Sequence, residues 1–481
     1  MLLLNFPDEI LLLVAEAASE KENSVLSRTC RHLYLLLADF LHQTNIRRSH
    51  SSALFWAIDY DRIDIIRRML DLGASADATH SEGHTALFEA ARKGFADIVT
   101  LLLDRGATYP LSNAGPYTPV YAATVAGHTE VIRALLKRDD LNPMLTQAGF
   151  RDGLSGNDQS RMVSILFFHP NDDPSKAVPE YAVALRLAIS TDHCSTAQAL
   201  IESQKVDLDY QDRMARTALM WATCHRCERC IQCLLQNGAD PNIRGPRGFT
   251  ALAHEVYEGS AGVVRLLLAD RRVGLNVRDD QGTVIYHIIL RDHPEMLQAL
   301  LARPDFVLRP EHIFLAVTHL GPACTRLLLD VHGMDPNIRD PEGRTPISWA
   351  AERGRLDAVE LLLERGADPD AIDDTRRTPL SWAVESIPAP RHSDTTEQWS
   401  KVIRRLLREP SVQIDSKDTL GWTPLSWAVT RKEWAVARVL IDAGASLEVP
   451  GVICGWVEGV IREREASQAT VEVPLALPPT C

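Results

Sequence analysis

The chain has 481 residues, 45% of them hydrophobic and 24% charged, and a formal net charge of −13. This composition is ordinary for a folded globular protein and excludes disorder on a large scale. The acidic balance argues against a polyphosphate-binding surface, and no long Lys/Arg run occurs; the Arg47-Arg48 pair reads as a solvated helix end. The length exceeds what one domain core needs and predicts several domains or one extended array.

Met1 to Val14 is apolar but lacks a basic leading stretch, and Pro7-Asp8-Glu9 interrupts it, so it is not read as a signal peptide. Phe6-Pro7-Asp8-Glu9-Ile10-Leu11 opens a helix instead. Pro sits in its first turn and the two acids face the positive end of the dipole. Ile10, Leu11, Val14 and Ala17 recur at helical spacing. A second helix after Asn23-Ser24 aligns Val25, Leu26, Cys30 and Leu33, and Leu36, Leu37 and Phe40 predict a third.

This segment resembles an F-box, whose opening reads Leu-Pro-x-Glu followed by Ile or Leu; Phe6 stands at the first position, and Pro7, Glu9 and Ile10 match. Arg28-Thr29-Cys30-Arg31-His32-Leu33-Tyr34 is similar to a stretch common in fungal members. The resemblance implies docking through Phe6, Pro7, Ile10, Leu11 and Val14 to a Skp-type adaptor and, through it, to a cullin-RING ubiquitin ligase. The plainer reading of residues 1–45 is a helical cap over the open end of a repeat array, which such arrays need.

From residue 51 onward the sequence repeats. Thr85-Ala86-Leu87 is followed 33 residues later by Thr118-Pro119-Val120. The pairs Thr217 and Thr250, and Thr345 and Thr378, are again 33 apart, while Thr423 follows after 45. Within each unit a Gly allows a tight finger turn, Thr caps a first helix, and Pro fits its first turn. Small residues such as Ala90-Ala91 and Ala350-Ala351 let helices approach. A Leu triplet such as Leu101-Leu102-Leu103 is the buried face of a second helix, and Gly106-Ala107 stops it.

These units resemble ankyrin repeats, with repeat ends at Ala239-Asp240-Pro241-Asn242, Asp335-Pro336-Asn337 and Ala367-Asp368-Pro369-Asp370. Pro-Leu/Ile-Ser-Trp-Ala at 346–350, 379–383 and 424–428 is similar to the fungal variant. Weaker units start at Ser52, Ala184, Gly282 and His312, which gives about eleven in all. The resemblance implies an all-α ankyrin-repeat solenoid over 46–450, with a tail at 451–481 that reads as a short helix and a loose end. Residues 146–178, with Pro170 and Pro174, predict an irregular excursion. Residues 387–399 predict a polar loop between the helices of one repeat.

Cys224, Cys227, Cys230 and Cys233 form a C-x2-C-x2-C-x2-C run that hints at a metal site. The repeat register places Cys224 near the end of a first helix, Cys227 on the turn and Cys230 inside the second helix. The expectation is therefore thiols pointing in different directions, with no metal and no cofactor. The nine cysteines sit mostly in helical patterns, which predicts a reducing cytoplasmic or nuclear setting. Asp192-His193-Cys194 is only superficially like a palmitoyltransferase motif, and no phosphate loop, nucleophile elbow or zincin motif occurs. The chain reads as a binding protein and not an enzyme.

Trp349, Trp382 and Trp427 share one slot beside a small Ala and are expected in the core between successive first helices. The residues just before each Thr are read as finger tips that touch an unknown target protein: His84, Tyr117, Arg216, Phe249, Arg344, Arg377 and Trp422.

Overall fold

A computed structural model describes residues 52–80, 83–109, 118–138, 144–146, 177–280, 282–319, 321–330, 333–388 and 393–447. The F-box-like segment 1–45, the tail 451–481 and the excursion's interior, 147–176, lie outside these residues.

The chain divides into two compact units, Met1–Gln281 and Gly282–Cys481. Among the described residues the first unit holds six antiparallel helix pairs: α1 (Ser52–Asp59) with α2 (Ile63–Asp71), α3 (Ala86–Lys93) with α4 (Ala96–Asp104), α5 (Pro119–Val125) with α6 (Thr129–Leu136), α7 (Glu180–Ser190) with α8 (Cys194–Glu202), α9 (Ala218–Cys224) with α10 (Glu228–Gln236), and α11 (Ala251–Glu258) with α12 (Ala261–Leu268). The second holds five: α13 (Val284–Leu290) with α14 (Pro294–Leu301), α15 (Glu311–Thr318) with α16 (Pro322–Asp330), α17 (Pro346–Glu352) with α18 (Leu356–Glu364), α19 (Pro379–Glu385) with α20 (Ser393–Leu406), and α21 (Pro424–Thr430) with α22 (Trp434–Asp442).

Short-range chemistry sets each pair. The Thr85 hydroxyl accepts a hydrogen bond from Phe88 N at 3.2 Å, and Thr118, Thr217, Thr250, Thr378 and Thr423 cap their helices in the same way. Thr345 departs from this: its hydroxyl faces Ser348 Oγ at 3.2 Å instead. Several second helices end on glycines in the left-handed region, such as Gly106 at φ +84°, and Ala107 N then donates back to Leu102 O at 2.9 Å.

The core of each unit lies between its first and second helices. Leu102, Leu135, Leu200, Leu234 and Leu267 occupy one register position of the second helices and are fully buried, as are Leu300, Leu328, Leu362, Leu406 and Leu440 in the second unit. Ala90, Ala123 and Ala222, like Ala350, Ala383 and Ala428, are also fully buried, so neighbouring first helices pack at small-residue distance. Truncating one such Leu to Ala costs about 2–5 kcal/mol.

Both irregular stretches are more ordered at their edges than the sequence suggests. The ends of the excursion pair as antiparallel strands, β1 (Met144–Thr146) and β2 (Ala177–Pro179), with Leu145 opposite Val178. Glu180 anchors the return. Its carboxylate accepts from Tyr109 Oη at 2.7 Å, from the Thr118 hydroxyl and from Tyr121 N at 3.2 Å. The loop expected at 387–399 is shorter, because α20 begins at Ser393. Trp399 on that helix donates Nε1–H to Glu352 O at 3.0 Å and lies over Gly354, where an added Cβ would come within 2.9 Å of the indole.

Candidate functional site

Four of the described fingers are tight reversals of one design. Asp340 N donates to Arg344 O at 3.0 Å, and the Asp340 carboxylate accepts from Glu342 N at 3.0 Å and Arg344 N at 2.8 Å. Its second oxygen accepts Nε1–H of Trp349 at 2.7 Å. One carboxylate thus closes the finger and fixes the indole of its own first helix. Asp212 with Trp221, Asp373 with Trp382 and Asp418 with Trp427 repeat the arrangement at 2.8, 2.8 and 3.1 Å. An Asp five residues before the Thr and a Trp four after it is the sequence signal. The Trp half of it was visible in three repeats; the Asp and Trp221 were missed.

This closure decides which residue points out. The residue two before the Thr takes the left-handed conformation: Ala215 at φ +58°, Gly343 at +74°, Arg376 at +60° and Gly421 at +77°. The exposed tip is therefore one residue earlier, at Met214, Arg247, Glu342, Thr375 and Leu420. The residue just before the Thr turns back onto the first helix. The positions expected to be tips are accordingly corrected: Arg344 and Phe249 are buried, and His84, Arg216, Arg377 and Trp422 are half-buried. Tyr117 lies outside the described residues.

The inward-turned arginines build a ladder with the tryptophans. The Arg344 guanidinium lies 3.9 Å from the ring centroid of Trp349 and 3.9 Å from that of Trp382 in the following repeat. Arg377 lies 4.7 Å from Trp382 and 4.9 Å from Trp427. Trp422 takes the Arg place in the last finger and packs on Trp427 at 4.7 Å. These three tryptophans are half-buried, so they are not core residues between helices as expected but plates separated by cations. Arg344 also pairs with Glu352, and Arg377 pairs with Glu385 at 2.6 Å. Burial pushes the Glu385 carboxyl up, with Arg377 pulling it back in part. In the first unit, Trp221 lies 4.3 Å from Arg186 and 4.9 Å from Arg216.

A family model described as ankyrin repeats in three copies matches residues 15–113, 54–147, 154–245 and 313–398, which together span more than half of the chain. The chain belongs to the ankyrin-repeat family. Among similar proteins, the mouse (Mus musculus) 2-5A-dependent ribonuclease is 37% identical over 75 residues, 15% of this chain and 10% of that enzyme. The putative ankyrin repeat protein YahD of Escherichia coli K12 is 26% identical over 169 residues, 33% of this chain and 84% of that protein. Mouse Inversin is 29% identical over 170 residues, 34% of this chain and 16% of its own length. The chain therefore spans about a tenth of the ribonuclease and most of YahD. The crystal structure of the Bcl-3 ankyrin repeat domain superposes with a TM-score of 0.32 at 20% identity, over 57% of this chain and 99% of that one.

Two side-chain clusters stand apart from the ankyrin ladder, both in the first unit. Cys194, Cys227 and Cys230 bring their sulfurs within 4.8 Å of one another. Burial is the main cause that pushes the Cys194 thiol up to about 12 and the Cys230 thiol well above its usual range. The expectation that the cysteine run diverges is thus corrected for Cys227 and Cys230, which converge with a cysteine one repeat earlier. Cys233 does diverge: it is contacted by Asn237 Nδ2. Cys224 sits 4.0 Å from His254 Nδ1, and Glu255 Oε1 lies 3.3 Å from that nitrogen. The Cys224 and Glu255 contacts hold the His254 imidazole up at about 10, which keeps it cationic at neutral pH. Among the described residues no helix is long and apolar enough to cross a membrane.

Proposed function

We propose that this ankyrin-repeat protein is the substrate-recruiting receptor of an F-box-type cullin-RING ubiquitin ligase. Its fingers hold a target protein, and its N-terminal segment engages a Skp-type adaptor. The observation that carries the target-holding half is the outward tips within each unit, whose chemistry changes from repeat to repeat: Met214 and Arg247 in the first unit, Glu342, Thr375 and Leu420 in the second. Met214 is 47% and Leu420 67% exposed, so an apolar anchor is offered in each unit. Beneath Met214, Glu342, Thr375 and Leu420 an Asp-to-Trp hydrogen bond ties each finger to its first helix, which lowers the entropy lost on binding. Any ubiquitin transfer would be performed by the recruited enzymes on a target held close to them.

The adaptor half is supported by the sequence of residues 6–14, with Phe6, Pro7, Ile10, Leu11 and Val14 as the expected contact residues. Affinity purification of the full chain with mass spectrometry tests both halves. Recovery of a Skp-type adaptor with wild type and its loss from the Pro7→Asp, Ile10→Asp double variant is the expected result. Target capture without any adaptor would leave a plain ankyrin scaffold whose N-terminal helices act as a cap.

A further inference from the structure

We infer that Cys194, Cys227 and Cys230 form a three-thiolate site for a thiophilic closed-shell cation, with Zn(II) as the expected ion. The repeat itself creates the site. Cys194 is the first residue of α8 and Cys227 the residue just before α10, so both lie at the starts of second helices in consecutive repeats. Stacking places their sulfurs 2.9 Å apart. Cys230 lies three residues further along α10, one turn on and therefore on the same helix face. A tetrahedral zinc with bonds of about 2.3 Å needs sulfurs on the order of 4 Å apart. The three sulfurs here meet that need with small rotamer adjustments, since all lie within 4.8 Å.

Burial favours the protonated thiols, and the charge of the ion and the helix starts work against it. Cys194 is the first residue of α8, Cys227 is the N-cap of α10 and Cys230 lies in its first turn. All three thus sit at helix ends where backbone N–H groups and the dipole favour negative charge. Cys230 and Cys227 are buried, while Cys194 is half-exposed and opens the site to solvent. Asp192 is exposed, and its Oδ1 is 3.4 Å from Cys194 Sγ, so that carboxylate or a water is at hand for the fourth position. On binding, each thiol releases its proton to the buffer as its sulfur lone pair bonds to the metal, and no electron changes hands. Tying α8 to α10 adds a link between two repeats already joined by packing and by the contact of Arg186 with Trp221.

The test uses the full chain, purified reduced and metal-free, and titrated anaerobically with Zn(II) against a chelating dye, with Co(II) as a spectroscopic stand-in. One ion per chain and a sulfur-to-cobalt charge-transfer band are expected. Cys194→Ser, Cys227→Ser and Cys230→Ser should each weaken binding about a hundredfold or more. Cys233→Ser, which removes a thiol of the same run, should bind as wild type. Cys194→Ser decides the matter should the buried variants misfold, because its half-exposed place at a helix start tolerates a hydroxyl. A parallel titration with Cu(I) assigns the site to copper should only that ion show the three-cysteine dependence. The inference is overturned by absence of stoichiometric binding of either ion, by equal binding in Cys194→Ser, or by a Cys194–Cys227 disulfide as the sole chemistry of the pair.

Discussion

The guanidinium of Arg344 lies 3.9 Å from the ring centroid of Trp382, a residue of the next repeat, and no farther from the indole of its own repeat. One side chain thereby couples two repeats through charge and stacking rather than through apolar packing. A desolvated cation–π contact contributes about 2 kcal/mol. Arg344→Ala loses both contacts and leaves the half-buried Glu352 without its cation. The expected cost is about 2–4 kcal/mol, read as faster amide exchange over α17 and α19. Arg344→Lys keeps the charge but not the planar stack and should recover less than half of the loss. Unchanged exchange in Arg344→Ala would mean that the ladder contributes nothing to coupling.

Asp373 ties a finger to a helix. It accepts from Thr375 N and Arg377 N, each at 2.9 Å, and from Trp382 Nε1 at 2.8 Å. Asp373→Ala orphans these donors at a buried position, at about 1–3 kcal/mol for a lost buried partner. NMR should show the Trp382 indole proton exchanging faster, with the α19–α20 pair the first to open in urea. An indole signal as protected as in wild type would show that water or a neighbour replaces the carboxylate at no cost.

Glu180 makes stability depend on pH. Burial raises its carboxyl from an ordinary 4.5 to about 7, against the pull of the Thr118, Tyr109 and Tyr121 hydrogen bonds. Folding therefore takes up a proton between those two values. The group's full contribution is present below about pH 4.5 and is lost as pH rises through about 7. The loss is on the order of 3 kcal/mol for a fully buried carboxyl. Glu180→Gln should raise the unfolding midpoint at pH 8 and leave it near wild type at pH 5. A midpoint difference that does not change across this range would contradict the assignment.

The fingers separate recognition from architecture. Leu420 is 67% exposed at a tip, while Trp427 is held by Asp418 and stacked against Arg377. Leu420→Ser should leave the melting temperature within about a degree of wild type, since surface changes cost within about 0.5 kcal/mol. It should also reduce recovery of captured protein in affinity purification. Trp427→Ala should cost about 1–3 kcal/mol of local stability, because the half-buried indole loses its hydrogen bond to Asp418 and its contact with Arg377. A destabilised Leu420→Ser would place that residue in the fold and not at the interface.

The sequence by itself determined the repeat, because everything that makes one unit is local. Thr capping, Pro in the first turn, the Leu triplet and the closing Gly act within 33 residues, so the spacing of Thr85, Thr118, Thr345 and Thr378 predicted the helix pairs. The all-helical repeat architecture and the family were legible there. The fate of the finger residues was not. Whether Arg344 points out or in depends on the Asp340 carboxylate closing the finger and on an indole that arrives from the next repeat. The cysteine run misled for the same reason. Its periodicity along one chain segment suggested divergence, yet Cys227 and Cys230 meet Cys194 from the repeat before. Contacts between successive repeats depend on the offset and rotation of one helix pair on the next. That offset is set by packing of buried Ala and Leu side chains across the stack, so only the tertiary structure decided it.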